Sequence, residues 1–106
     1  MMEKEELIDD GMCFACGVRN DTGLHLHFEE VSGDIVTRFQ PEARHQGFQG
    51  IVHGGILSTL LDEVMAHVLI RAGKKAVTAR MEVQFKRIAR VGEALGALVA
   101  RPGASD

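Results

Sequence analysis

Residues 50–70, GIVHGGILSTLLDEVMAHVLI, place two helix-weakening glycines at the head of an apolar run and two acids, Asp62 and Glu63, in its middle. Ile56, Leu57, Leu60, Leu61, Val64, Met65, Val68 and Leu69 recur at helical spacing and cover most of a helix circumference. A narrow polar stripe of Ser58, Thr59, Asp62, Glu63, His67 and Arg71 fills the remainder. The spacing predicts a helix over 54–71, stopped by AGKK, with Gly73 suited to the C-terminal cap and Lys74 and Lys75 placed favourably for the helix dipole. A helix this apolar has to be enclosed by other elements.

Those elements read as strands. LHLHFEE alternates strictly, with Leu24, Leu26 and Phe28 on one face and His25, His27 and Glu29 on the other. SGD turns the chain and DIVTRFQ follows, so a hairpin is expected over 24–40, ending at Pro41. Residues 43–53 read as loop. After the helix, AVTARMEVQFKR alternates again, predicting a strand over 76–88, and EALGALVA predicts another over 93–101. A turn-rich segment, 1–23, comes first, with its acidic residues 1–10 expected as a short helix. The order ββαββ in one domain, 1–106, is an α+β architecture: a long central helix wrapped by a curved antiparallel sheet. Four strands make a thin wrapper for such a helix.

The whole chain sets few further limits. It has 106 residues, 45% of them hydrophobic and 25% charged, with a net charge of −3. That is one ordinary globular domain with no global pull toward nucleic acid or an acidic membrane. No signal peptide or membrane-spanning run is visible, so a cytoplasmic protein with free thiols is expected. Arg71, Lys74, Lys75, Arg80, Lys86, Arg87 and Arg90 crowd one window that contains a single acid, Glu82. The plain reading is a solvated strand face; the sharper one is a landing site for a phosphorylated ligand.

The helix head has its own chemistry. A helix start leaves backbone N–H groups unpaired and concentrates partial positive charge. Glycines there let a ligand carbonyl come close to the backbone. Gly54 and Gly55 are thus candidate donors to an oxygen on which negative charge develops.

GIVHGGILSTLLDEVMA resembles the His-Gly-Gly segment and central helix of the hotdog-fold acyl-CoA thioesterases. The nearest branch includes the phenylacetic-acid-pathway and Arthrobacter-type 4-hydroxybenzoyl-CoA enzymes. CFACGVRNDTGLHLHF upstream is similar to an N-terminal signature of small members, and TARMEVQFKRIARVGE downstream to their strand after the helix. The resemblance implies hydrolysis of an acyl- or aryl-CoA to free acid and CoA, with no metal or organic cofactor; coenzyme A is part of the substrate. It implies that Asp62, nine residues after His53, acts as nucleophile or as general base for water, and that the Gly55 N–H leads the oxyanion donors. The nine-residue spacing from His53 to Asp62 is long for one active site. The family closes that gap in a homodimer, or a homotetramer built from dimers, with Asp62 of one chain facing the Gly55 region of the other. Ser58, one turn before Asp62, is positioned to hold it. Arg80, Lys86, Arg87 and Arg90 are the candidates for the CoA phosphates.

Plainer roles stand beside these. His53 reads as a loop-positioning residue with direct acid–base chemistry as the alternative, Glu63 as half of a structural ion pair, and His67 as a solvated or interface histidine. Asp62 itself could be a buried, satisfied carboxylate. Two departures from the family pattern are plain. Gly47 stands where relatives carry Asn or Gln, so Gln46 or Gln49 would have to supply the amide. Hotdog domains also continue with two strands after the one at 93–101, so a gap is expected beside the strand at 76–88. Cys13 and Cys16 read as structural: a zinc site needs four ligands, which His25 and His27 could in principle complete, and the βαβ setting of a redox C-x-x-C is missing. Two other functions remain open: an acyl-CoA-binding module without turnover, and an inactive fragment that only self-associates.

Overall fold

The computed structural model describes residues 6–99. Strand β1, Phe28–Val31, pairs antiparallel with β2, Asp34–Phe39, placing Phe28 opposite Thr37 and Val31 opposite Asp34. The two-residue turn between them, Ser32 (φ 52°) and Gly33 (φ 87°), is left-handed at both positions. That is the backbone a tight hairpin needs to match strand twist, and glycine takes it without strain. Helix α1, Gly54–Arg71, follows, and then β3, Leu95–Val99, pairs antiparallel with β2 on its other side, Phe39 opposite Leu95. The sheet order is β1-β2-β3.

Helix α1 ends as its sequence requires. Gly73 has φ 84°, its N–H donates to the Ile70 carbonyl (2.9 Å), and the Lys74 N–H donates to the Leu69 carbonyl (2.9 Å). These two bonds define a Schellman cap, whose left-handed position excludes a β-carbon at little cost only when it is glycine. The helix packs one stripe, Leu60, Val64 and Val68, into a core with Ala15, Leu24, Leu26 and Ile35. Ile56, Leu57 and Leu61 join from the flanks only partly covered, and Ile70 is 48% exposed. The all-round enclosure expected of the helix is therefore incomplete within one chain.

The other differences have local causes. The expected hairpin at 24–40 keeps its burial alternation at its start, with Leu24 and Leu26 buried and His25 and His27 exposed. Yet His25 sits at φ 53°, and the Leu24 and Leu26 N–H groups donate to the carbonyls of Phe14 and Ala15 (2.8 and 2.9 Å). The cysteine-bearing turn replaces the strand partner. Of the expected N-terminal helix, residues 6–10 carry no helix and 1–5 lie outside the described residues, as does the end of the segment 93–101. The segment 76–88, expected as a strand, forms none: apart from a single bridge position at Val77 it has no ladder. A strand needs a neighbour for its N–H and C=O groups, and among the described residues nothing pairs along this segment. Val77, Phe85 and Ile88 are consequently 41%, 55% and 58% exposed.

The stripe makes a quantitative prediction. Val64, 0% exposed, truncated to alanine should cost about 2–3 kcal/mol, roughly 1.6 for the lost methyl groups plus a cavity contribution. Ile70→Ala should cost under about 1 kcal/mol. Urea denaturation of both variants reads the difference, and equal losses would mean that a different face of α1 is buried.

Candidate active site

The head of α1 is built by a chain that folds back on itself. A 3-10 turn at Ala43–His45 is closed by the Glu42 N–H donating to His45 Nδ1 (2.9 Å). The His45 carbonyl then accepts the His53 N–H (2.9 Å), and Gly47 N–H donates to Ile51 (2.9 Å). From outside, Val52 N–H donates to the Ala89 carbonyl (2.8 Å) and Val91 N–H to that of Gly50 (3.0 Å). This tethers residues 89–91 beside the lead-in to the helix.

His53 caps α1 with its own side chain: Nδ1 accepts the Gly55 N–H at 2.8 Å, a role Ser, Thr, Asp or Asn fills in most helices. The Gly55 donor is thus engaged, whereas no acceptor for the Gly54 N–H lies among the described residues. Gly55 is the more tightly set of the two glycines. A β-carbon on Gly55 would lie 3.0 Å from His53 Nδ1, and one on Gly54 would touch the Phe85 ring at 3.6 Å.

A cleft of about 350 Å³ opens here, lined by Arg44, His45, Gln46, His53, Gly55, Ile56 and Thr59. It gathers three of the residues expected from sequence: Gly55, His53 and Gln46. The Gln46 side-chain oxygen accepts the Gly50 N–H (3.1 Å), which leaves its amide nitrogen outside that bond. Gly47 lies against His53, with 3.5 Å from a β-carbon built on Gly47 to His53 Cδ2. Gln49 is exposed on the neighbouring turn and does not line the cleft. Arg80, Lys86, Arg87 and Arg90 are all exposed and also outside the lining. A second depression, about 220 Å³, lies over His27, Phe28, Glu29, Val36, Thr37 and Arg38. It contains none of the expected site residues.

Asp62, half-buried, accepts a 2.6 Å hydrogen bond from the Thr78 hydroxyl. The expected partner Ser58 makes no hydrogen bond to it among the described residues. Thr78 opens the TARMEVQFKRIARVGE stretch, so its residue type is visible in the sequence but its reach across to α1 is not. Thr59, another unanticipated lining residue, donates to the Gly55 carbonyl (2.8 Å).

Glu63 points elsewhere, as two adjacent helical positions must. Its Oε2 accepts from the Cys16 thiol at 3.1 Å and the Cys13 thiol at 3.6 Å, and lies 3.5 Å from His67 Nε2. The last is an ionic contact when the imidazole is protonated, too long for a strong hydrogen bond. The His67 imidazole, aided by the thiols and opposed by burial, holds the Glu63 carboxyl below the usual range. Burial first, then Glu63, pushes the Cys16 thiol well above its ordinary value. His67 is not a solvated residue: its ring stacks on Phe28 (3.8 Å between centroids, 13° between planes).

Residues 49–99 match the family model described as "Thioesterase superfamily". The chain is 35% identical over 67 residues to acyl-coenzyme A thioesterase THEM5 of Mus musculus, covering 63% of this chain and 27% of that protein. The THEM5 of Homo sapiens is 29% identical over 63 residues, 59% of this chain and 26% of that one. A crystal structure described as a thioesterase superfamily protein superposes with a TM-score of 0.75 at 26% identity, over 89% of this chain and 53% of that chain. The chain thus spans about a quarter of the curated relatives' length and about half of the solved structure's.

His45 links the cleft to pH. It is buried, edge-on to Phe39 (4.9 Å), and burial, then Arg44, lowers its pKa from 6.5. Its Nδ1 is an acceptor here, so only the neutral ring fits. The unfolded chain binds the proton more readily. The stabilisation is therefore complete above the unfolded value, about 6.5, and is lost as pH falls from there through the folded value. Thermal midpoints of wild type should drop between about pH 7.5 and 5 more steeply than those of His45→Gln. Parallel slopes would contradict the assignment.

Proposed function

For a chain with the hotdog fold of the thioesterase superfamily, we propose hydrolysis of an acyl- or aryl-CoA thioester to the free acid and CoA. The observation that carries this reading is one helix that presents a glycine-headed cleft at its start and a half-buried, hydrogen-bonded carboxylate two turns later. Water adds to the thioester carbonyl as Asp62 accepts its proton; if Asp62 attacks directly, it forms an acyl anhydride as CoA leaves, and water then hydrolyses that anhydride to the same free acid. Charge develops on the carbonyl oxygen, and N–H donors at Gly54 and Gly55 stabilise it; a free donor is worth roughly 3 kcal/mol in comparable acyl-transfer sites. The C–S bond then breaks and the CoA sulfur leaves, taking up a proton. No metal or organic cofactor enters these steps.

For the Gly55 donor to serve, the substrate oxygen takes the place of His53 Nδ1. That side chain is exposed enough to swing aside. Gln46, whose amide nitrogen is not held by its bond to Gly50, stands in for the amide that Gly47 lacks. Asp62 lies about 10 Å along the helix from Gly55, too far to serve its own cleft. It serves the partner's cleft in a homodimer, alone or within a homotetramer. The partly covered flank of α1 and the segment 76–88, which joins no ladder among the described residues, with Phe85 and Ile88 exposed, support such pairing. Lys86 and Arg87 lie between Phe85, which approaches Gly54, and the tether at 89–91, and Arg90 lies within it. With Arg80 they receive the CoA phosphates. No described helix is long and apolar enough to cross a membrane, and the free thiols suit a cytoplasmic setting.

Asp62→Asn should lower turnover about 10²–10⁴-fold on the best substrate of an acyl- and aryl-CoA panel, while CoA-ester binding persists. Wild-type rates in the variant would remove Asp62 from the reaction. Binding without turnover by wild type on every ester would leave the binding module. The pairing is checked separately by light scattering: a monomer that turns over at full rate would refute the cross-chain site.

A further inference from the structure

The thiols and acids that the proposed hydrolysis does not use converge on one point. Glu63 Oε2, Cys13 Sγ and Cys16 Sγ come from positions 47 and 50 residues apart, yet all lie within 4.8 Å of one another. Ligand atoms around a tetrahedral zinc, with bonds of roughly 2.0–2.3 Å, stand about 3.3–3.8 Å apart. The 3.1 and 3.6 Å separations from Glu63 to the two sulfurs already approach that spacing.

A fourth candidate, His67, stands beside these three, outside their 4.8 Å cluster. His67 lies one turn beyond Glu63, and its Nε2 is 3.5 Å from the same carboxylate oxygen. That nitrogen is fully buried and has no hydrogen-bond partner among the described residues. Buried polar atoms are almost always paired, and leaving one unpaired costs about 1–3 kcal/mol. The stack on Phe28 keeps the ring from turning away.

The cysteine turn is closed by its own backbone. Gly17 N–H donates to the Cys13 carbonyl at 2.8 Å. A β-carbon at Gly17 would fall 2.4 Å from the Cys13 nitrogen and 2.5 Å from the Gly11 oxygen, so no other residue closes this loop. Ala15, between the cysteines, is anchored in the core.

We propose that Cys13, Cys16, Glu63 and His67 bind one zinc ion, with protein ligands in all four positions. Two thiolates with an imidazole and a carboxylate favour zinc over magnesium or calcium. A closed set of four makes the ion a structural clamp between the N-terminal turn and α1, not a catalyst. On binding, the two thiol protons pass to solvent and the thiol–carboxylate hydrogen bonds give way to metal bonds. The two cysteines alone fall short of a site; the Glu–His pair at i and i+4 on α1 supplies what the exposed His25 and His27 do not. The inference is independent of the thioesterase reading.

The test uses the full chain, reduced with a phosphine and stripped of metal by chelation, titrated with Co²⁺. One equivalent should produce tetrahedral d–d bands with a thiolate-to-cobalt charge-transfer band, and zinc should abolish both. Cys16→Ser should weaken the charge-transfer band. His67→Gln should keep that band while lowering affinity at least about tenfold. An octahedral or unchanged wild-type spectrum overturns the proposal. So does a His67→Gln chain that binds cobalt with undiminished affinity. Should Cys16→Ser fail to fold, the wild-type spectrum and His67→Gln decide between the outcomes.

Discussion

The contact on which everything else turns is the stripe of Leu60, Val64 and Val68 against Ala15, Leu24, Leu26 and Ile35. One helix face, once buried, fixes the rotation of all eighteen residues of α1. Asp62 is then aimed at Thr78 on the segment after the helix, and Glu63, about 100° around, at the cysteine turn before the sheet. Two neighbouring carboxylates acquire unrelated surroundings without any special loop. The acids within an apolar helix are therefore two anchors for two different parts of the chain.

The same contact explains what one chain leaves unfinished. The three-stranded sheet covers one side of α1, and the side bearing Met65 and Leu69 is only partly buried. The alternating sequence of 76–88 has the composition of a strand but, among the described residues, no ladder to join. Strand propensity is largely a statement about neighbours, and a pattern of side chains cannot provide them. Burial along this segment is accordingly uneven: Thr78, Met81 and Val83 are half-covered while Phe85 and Ile88 stand out.

Legibility in the sequence followed that division. The helix at 54–71 could be read because its apolar spacing, glycine head and glycine stop agree, each for a local reason. The Ser32–Gly33 turn was readable on the same grounds. The alternation at 24–28 gave the buried residues correctly, but not the backbone partner, which lies at Phe14 and Ala15. At the candidate site, His53, Gly55 and Gln46 lie near one motif, and the fold brings them to one cleft. Thr78 at Asp62, and the cysteines at Glu63, were missed because both pairings join distant segments. Periodicity gives a direction for each side chain; it does not say what waits there.

The His53 cap has one more consequence. Any acceptor that reaches the Gly55 N–H exchanges places with an imidazole nitrogen held at 2.8 Å, so only the difference between two hydrogen bonds is gained. A neutral carbonyl is no stronger an acceptor than imidazole and has little to win from the exchange. An oxygen carrying negative charge forms a bond roughly twice as strong and displaces the ring readily. A donor guarded in this way discriminates by charge, favouring the state in which charge has developed over the state in which it has not.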